Sequence, residues 1–325
     1  MSEKRVELAS PIDFIRHQLL GKLGIVFGLA ILVFAFAMMS PVFISSGNLS
    51  NILVQSAVNA IIAAGMTFVV ICGQIDLSVG ATLALSTCIG AKVMVKTGNV
   101  MLGVVVTLAA GIVLGVINGV IVAYIDFPPF ITTLSTMWLF RGVAYVYTGG
   151  QAITNLPDGM MSLAMNSFLR IPLIVWLLIL VYVICHIFLS QSGAGRKIYA
   201  VGDNPEASRL TGINVKGVKL LVFTLSGFLA ALSGVILMSR LNSGQPIAGQ
   251  SFEMYAIAAA VIGGASLTKG GIGNMPGTII GAVFIATLQN GLTILNVSSF
   301  WQQVFMGIVV LFAIGLDKLR KRASF

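Results

Sequence analysis

Asp76 and Ser78 stand in a short polar stretch, Gly73-Gln74-Ile75-Asp76-Leu77-Ser78-Val79-Gly80, set between two long apolar runs. A carboxylate there can cap a helix starting near Leu77 by accepting from free amides around Val79. The same break can instead aim backbone donors and acceptors at a path for a polar, uncharged solute, as discontinuous membrane helices do. Asn118 and Gln289-Asn290 are uncharged polar residues inside apolar runs, suited to bonds across helices or to a solute. The candidate path set is therefore Asp76, Ser78, Asn118 and Asn290. Arg141 and Glu253 are the ionisable residues nearest the interiors of apolar runs, where charge is costly and faces protein or water. Arg141 has three options: a carboxylate partner, an edge to snorkel to, or the path. Glu253 lies within about one helical turn of the expected outer end of its run, which suits either a docking site or the path. No carboxylate pair, histidine cluster or activated nucleophile reads as catalytic. Cys72, Cys88 and Cys185 lack metal-ligand spacing and read as small apolar packers.

These residues need a membrane frame. Of 325 residues 57% are hydrophobic and 9% charged, with a mean hydropathy of +1.00; soluble domains carry about a quarter charged residues. Apolar runs near 23–40, 52–72, 80–96, 101–124, 130–148, 171–189, 219–238, 252–267, 275–291 and 301–316 predict an all-α polytopic membrane bundle of about 10 transmembrane helices. Two broken or re-entrant regions interrupt it. The runs are too long and too uniformly apolar for barrel strands. The expected organisation is a cytoplasmic N-terminal segment 1–22, a transmembrane domain 23–316 and a basic cytoplasmic tail 317–325. Segment 1–22 carries Glu3, Glu7 and Asp13 and does not read as a cleavable signal peptide. Both termini are expected in the cytoplasm, because that orientation leaves only Lys92, Lys96, Arg141, Arg170 and Arg240 of the 19 basic residues off the cytoplasmic side. The net charge of +9 is thereby a membrane signature, and the Lys318–Arg322 cluster fits anionic lipid rather than nucleic acid.

The long polar segment 190–217 contains a short helix by its cap signals. Asp203 or Asn204 can cap it, Pro205 suits its first turn, Glu206 favours its N-terminal dipole and Gly212 is placed to end it. Ala207, Leu210 and Ile213 give it an apolar edge, which reads as a docking knob or as a plain inter-helix loop. A second break runs from Gly263-Gly264 to Gly273-Asn274. Both breaks follow an alanine-rich run and precede an apolar one, a hint of an internal repeat. Gly111 with Gly115, and Gly277 with Gly281, are spaced for close helix packing. No Gly-x-x-x-x-Gly-Lys-Ser/Thr occurs, since Thr268 stands where Gly263 to Lys269 would need its second glycine.

The stretch Gly195-Arg196-Lys197-Ile198-Tyr199-Ala200-Val201-Gly202-Asp203-Asn204-Pro205-Glu206-Ala207, continuing to Val215, resembles the coupling loop of the ribose-type sugar permeases of ABC importers. Gly73–Gly80, Arg141-Gly142 with Tyr147-Thr148-Gly149-Gly150, and Gln245-Pro246-Ile247-Ala248-Gly249 through Gly263-Gly264 agree in order and spacing, over about residues 40–316. The resemblance implies a bacterial inner-membrane permease that imports a monosaccharide by alternating access. Its implied partners are a second permease copy in a homodimer, a cytoplasmic ATPase and a periplasmic or extracellular sugar-binding protein. ATP would be used by the partner, with no cofactor in this chain. Gly202, Asp203, Asn204, Ala207, Leu210 and Gly212 would form the coupling helix seated on the ATPase. The rival reading, an ion-coupled secondary sugar transporter acting without an ATPase, needs membrane carboxylates, and Asp76, Asp126 and Glu253 are few and peripheral for it.

Overall fold

The computed structural model describes residues 11–322, with side chains from 24 to 315. Segment 1–10 and the side chains of the Lys318–Arg322 cluster lie outside the described residues. The elements run α1 (Pro11–Met39), α2 (Ser46–Ile71), α3 (Val79–Thr97), α4 (Val100–Ala123), α5 (Pro129–Thr148), α6 (Ser162–Met165), the hairpin β1 (Ser167–Phe168) and β2 (Ile171–Pro172), α7 (Leu173–Gln191), α8 (Gly193–Asp203), α9 (Pro205–Leu210), α10 (Val215–Leu241), α11 (Phe252–Ile262), α12 (Met275–Ile294) and α13 (Ser299–Arg322). This is a polytopic helical membrane protein. Helix α1 starts at Pro11, inside the segment expected to precede the first span.

Among the described residues six helices are long and apolar enough to cross a bilayer alone: α2, α3, α4, α7, α10 and α12. The apolar parts of α1 (Gly24–Met39) and α13 (Ser299–Gly315) are shorter. Helix α5 has 20 residues, but Arg141 and several threonines dilute its apolar character. The expected span at 252–267 is corrected most clearly. Helix α11 has 11 residues, about 16 Å of rise, against the roughly 30 Å of a hydrocarbon core. Gly263-Gly264 stops it although the apolar composition continues.

Helix α2 is the axis of the bundle. In its most apolar window 89% is buried inside the protein, against 28% for α4 and 39% for α7. Helices α7, α10, α11 and α12 surround it, and Phe68, Ile71, Phe223 and Ile198 fill the core between them. Outward faces of α4, α5 and α7 carry Val113, Trp138, Val146, Leu180 and Ile184, a composition for lipid or a partner helix.

Glycine lets the helices approach. Gly111 and Gly115 on α4 interlock with Gly227 on α10, where an added Cβ at Gly227 would lie 2.8 Å from the Cα of Gly115. Gly277 and Gly281 do the same against Gly263 and Ala259, so both glycine pairs singled out in the sequence are packing devices. Gly142, by contrast, faces open space. Gly227→Ala should cost about 1–3 kcal/mol through overpacking and lower the thermal midpoint of the detergent-solubilised protein. Gly142→Ala, on the open face of α5, should leave that midpoint unchanged or slightly higher.

Candidate functional site

The first break begins with a left-handed stop. Gly73 (φ 74°) follows α2, and the amides of Gly73 and Gln74 donate to the carbonyls of Val70 and Val69. Residues 74–78 then run to the start of α3. Asp76, 1% exposed, is the hub of this link. Its Oδ1 accepts from the Ser78 amide at 3.0 Å and the Ser78 hydroxyl at 2.7 Å, and its Oδ2 accepts from the Ser226 hydroxyl of α10 at 2.8 Å. Asn118 of α4 donates through Nδ2 to Ser78 Oγ at 2.7 Å. All three groups facing Asp76 are donors, the arrangement that suits a carboxylate. Thr133 of α5 donates to the carbonyl of Ile75 at 3.2 Å. The expected cap is corrected in one detail: Asp76 bonds the Ser78 amide, because the chain at 76–78 turns back on itself before α3 starts.

The second break is capped as the first is. Gly264 (φ 97°) ends α11, with its amide donating to Val261 and that of Ala265 to Ala260. Ahead of α11 the sequence hides a third irregular segment. After Asn242 (φ 47°) the chain runs back along α3: Gly244 lies against Thr87, Cys88 and Ala91, and Gly249 against Gly80 and Leu83. Residues 242–251 are thus re-entrant. Arg141 holds this loop, donating from Nη1 to the carbonyls of Pro246 and Ala248 at 2.6 Å each. The loop also pairs with Ile153 through Gly244. Arg141 therefore binds backbone, an option outside the three read from the sequence. Glu253 sits beside Gly80 at the start of α3 rather than near the end of α3 at Thr97. Glu253 stands in the first turn of α11, within one turn of the start of its helix as the sequence places it.

The polar segment after α7 forms two helices rather than one. Ser192 caps α8 by accepting from the Gly195 amide at 2.9 Å. Gly202 and Asp203 belong to the end of α8, which corrects the single helix expected over 203–212. Asn204 caps α9 through the Ala207 amide at 2.9 Å, Pro205 and Glu206 occupy its first turn, and Gly212 (φ 83°) follows its end. Leu210 is 84% exposed, and Ala207 is exposed beside it. Helix α8 is rooted in the core by Ile198 and Val201, both fully buried.

The tip of α8 meets both breaks. Gly202 packs against the Ile71 carbonyl, Gly270 and Gly271. The Gly271 amide donates to the Ile71 carbonyl at 2.7 Å, and Tyr199 donates its hydroxyl to the Gly273 carbonyl at 2.8 Å. Burial pushes the Tyr199 phenol up, so it remains a donor. Lys269 lies 3.7 Å from Asp203.

Of the sequence candidates, Asp76, Ser78 and Asn118 converge on one network. Asn290 does not join it: it exchanges two 2.9 Å hydrogen bonds with Asn48 of α2. Sequence reading missed Ser226, Thr133, Tyr199 and Asn48, ordinary polar residues in apolar or helical stretches whose partners lie far along the chain. The three cysteines are buried and free, and no cluster of metal-ligating residues occurs among the described residues.

Residues 48–314 match the family described as branched-chain amino acid transport system / permease component. The ribose import permease protein of Bacillus subtilis (strain 168) is 45% identical over 91% of this chain and 92% of its own length. The ribose import permease protein of Escherichia coli (strain K12) is 41% identical over 90% of this chain and 92% of its own. The D-allose transport system permease protein of the same strain is 38% identical, covering 92% of each chain. No solved structure matches this chain.

Asp76→Ala should leave the Ser226 hydroxyl and the Ser78 donors without their acceptor, at roughly 1–3 kcal/mol for each buried group orphaned. Asp76→Asn keeps the shape and one acceptor, and Ser226 can reverse its hydroxyl to accept. The expected order of thermal midpoints is wild type, then Asp76→Asn, then Asp76→Ala; equal losses in both variants would contradict the hub assignment.

Proposed function

The chain belongs to the branched-chain amino acid transport system / permease component family, and from that premise we propose that it is the permease subunit of an ATP-driven importer whose cargo is ribose. The relatives named for ribose are 41–45% identical, those named for allose and xylose 38% and 34%. That gradient supports ribose over other monosaccharides.

ATP is bound and hydrolysed by a separate cytoplasmic ATPase subunit, and sugar is delivered by a soluble binding protein on the opposite face. The carrying observation is the exposed α9 on a buried α8. A six-residue helix has too few internal hydrogen bonds to hold itself. Here it is capped, displays Leu210 to solvent and is planted through α8 on the ends of two membrane helices. Residues Gly202 to Gly212 thus have the form of a lever for the ATPase. Arg196, Lys197, Arg209, Lys216, Lys219 and Lys269 surround this end, which supports its cytoplasmic position and cytoplasmic termini in a bacterial inner membrane. Two copies of the chain form the translocating body, and sugar passes between them. Asp76, Ser78 and Asn118 bear on the path through their network. The Asn118 carbonyl oxygen is buried without a hydrogen-bond partner, an acceptor for a sugar hydroxyl once the helices part. With three donors engaged, Asp76 is unsuited to serve as an ion-coupling carboxylate.

Proteoliposomes containing this chain, its ATPase and the binding protein should take up labelled ribose with ATP inside; ion-driven uptake by the chain alone would refute the importer reading. Ala207→Asp combined with Leu210→Asp should abolish co-purification of the ATPase while leaving membrane insertion normal.

A further inference from the structure

Helix α8 and the 264–274 link touch backbone to backbone. Gly202, Gly270 and Gly271 leave no side chain between the two segments. A Cβ added at Gly202 would lie 2.6 Å from the Gly271 nitrogen, and one at Gly270 would lie 2.8 Å from the Gly202 Cα. Contacts of this kind have no rotamers to absorb a displacement, so they pass it on. The Gly271 amide is bound at 2.7 Å to the last carbonyl of α2, and Tyr199 is bound at 2.8 Å to the Gly273 carbonyl. The exposed Lys269–Asp203 pair adds little. Three points therefore join α8 to the end of α2 and to the start of α12, which Asn274 caps through the Gly277 amide.

We propose that α8 and the 264–274 link are a single rigid transmission body, so that a push on α9 moves the ends of α2 and α12 together, with Tyr199 as its positioning residue. The proposal rests on the reading of α9 as the ATPase-facing lever. It assigns a mechanical role to the second helix break that the lever alone does not require: a lever acting only on the helices packed on α8, namely α2, α7 and α10, would leave the link free to separate from α8 during the cycle.

The test uses the complete transporter in proteoliposomes, in a background with Cys72, Cys88 and Cys185 replaced by alanine. Asp203→Cys and Lys269→Cys are introduced together, because Lys269 Nζ lies 3.7 Å from Asp203 Oδ1 and the exposed pair itself adds little. A short, reducible bifunctional thiol reagent should bridge the two cysteines, and ATP-driven ribose uptake should continue at the rate of the reduced protein. A crosslink that stops uptake until reductant is added would show that the segments must part, and would overturn the proposal; so would failure of the pair to crosslink. Tyr199→Phe is the second arm, independent of the crosslink. It should retain ATPase association and ATP hydrolysis while the sugar moved per ATP falls about fivefold, the change expected from one lost hydrogen bond. An unchanged ratio would count against the proposal. Absence of ATP-driven uptake in the unmodified transporter would instead refute the underlying importer reading.

Discussion

Wherever a helix stops inside a bilayer, its last carbonyls and the next helix's first amides must find partners within the protein, because hydrocarbon supplies none. This chain stops helices twice and adds a re-entrant loop, and its remaining architecture follows from satisfying those groups. Each irregular segment has its own donors. Arg141 serves the carbonyls of Pro246 and Ala248, Thr133 serves Ile75, and Tyr199 serves Gly273. The end of α2 is served by the other break, through the Gly271 amide. A break that satisfies the end of α2 must lie beside it, and that fixes α2, α11 and α12 around one point.

Glycine follows from the same constraint. Backbone can satisfy backbone across two segments only if nothing stands between them, so the junction is built of Gly202, Gly270 and Gly271. Left-handed stops at Gly73 and Gly264 turn the chain while binding the two amides that follow each helix. Charge is used sparingly. Asp76 is surrounded by three hydroxyl and amide donors, and among the described residues the ion pairs are Arg209–Glu206 and Lys269–Asp203, both exposed. A buried pair would carry a large desolvation cost that hydrogen bonds to neutral groups avoid only in part.

The sequence made the stops legible and left their partners hidden. Gly73 and Gly263-Gly264 mark the breaks, Pro129 the start of α5, and Asn204-Pro205-Glu206 the start of α9, because each acts on its immediate neighbours. Ser226 is 150 residues from Asp76, and Tyr199 is 74 from Gly273. Nothing local distinguishes either from a serine or tyrosine facing elsewhere. The length of α11 was masked for a different reason: Ala265 and Leu267 continue its apolar composition past Gly264, and hydropathy does not register a change of backbone direction. The course of loop 242–251 is hidden because composition does not show direction, whereas Gly244 and Gly249 allow its backbone to pack closely on α3. Arg141 was recognised as costly, yet its partner is a pair of carbonyls, which no count of carboxylates can reveal.

The link 73–78 is fastened at both ends by interactions of different character. At Gly73 it is held by the amides of Gly73 and Gln74 donating to Val70 and Val69; at Asp76 it is held by hydrogen bonds to Ser226 and, through Ser78, to Asn118. Such a link cannot absorb a displacement by stretching, because only Gln74 and Ile75 separate Gly73 from Asp76 and an unpaired backbone group in its course costs several kcal/mol. A force arriving at α8 is therefore resisted by α2, α3, α4 and α10 together. The re-entrant loop extends the same body toward α5, since Gly249 packs on Gly80 while Arg141 grips the neighbouring carbonyls. The fold's broken helices thus act as joints already locked to their neighbours.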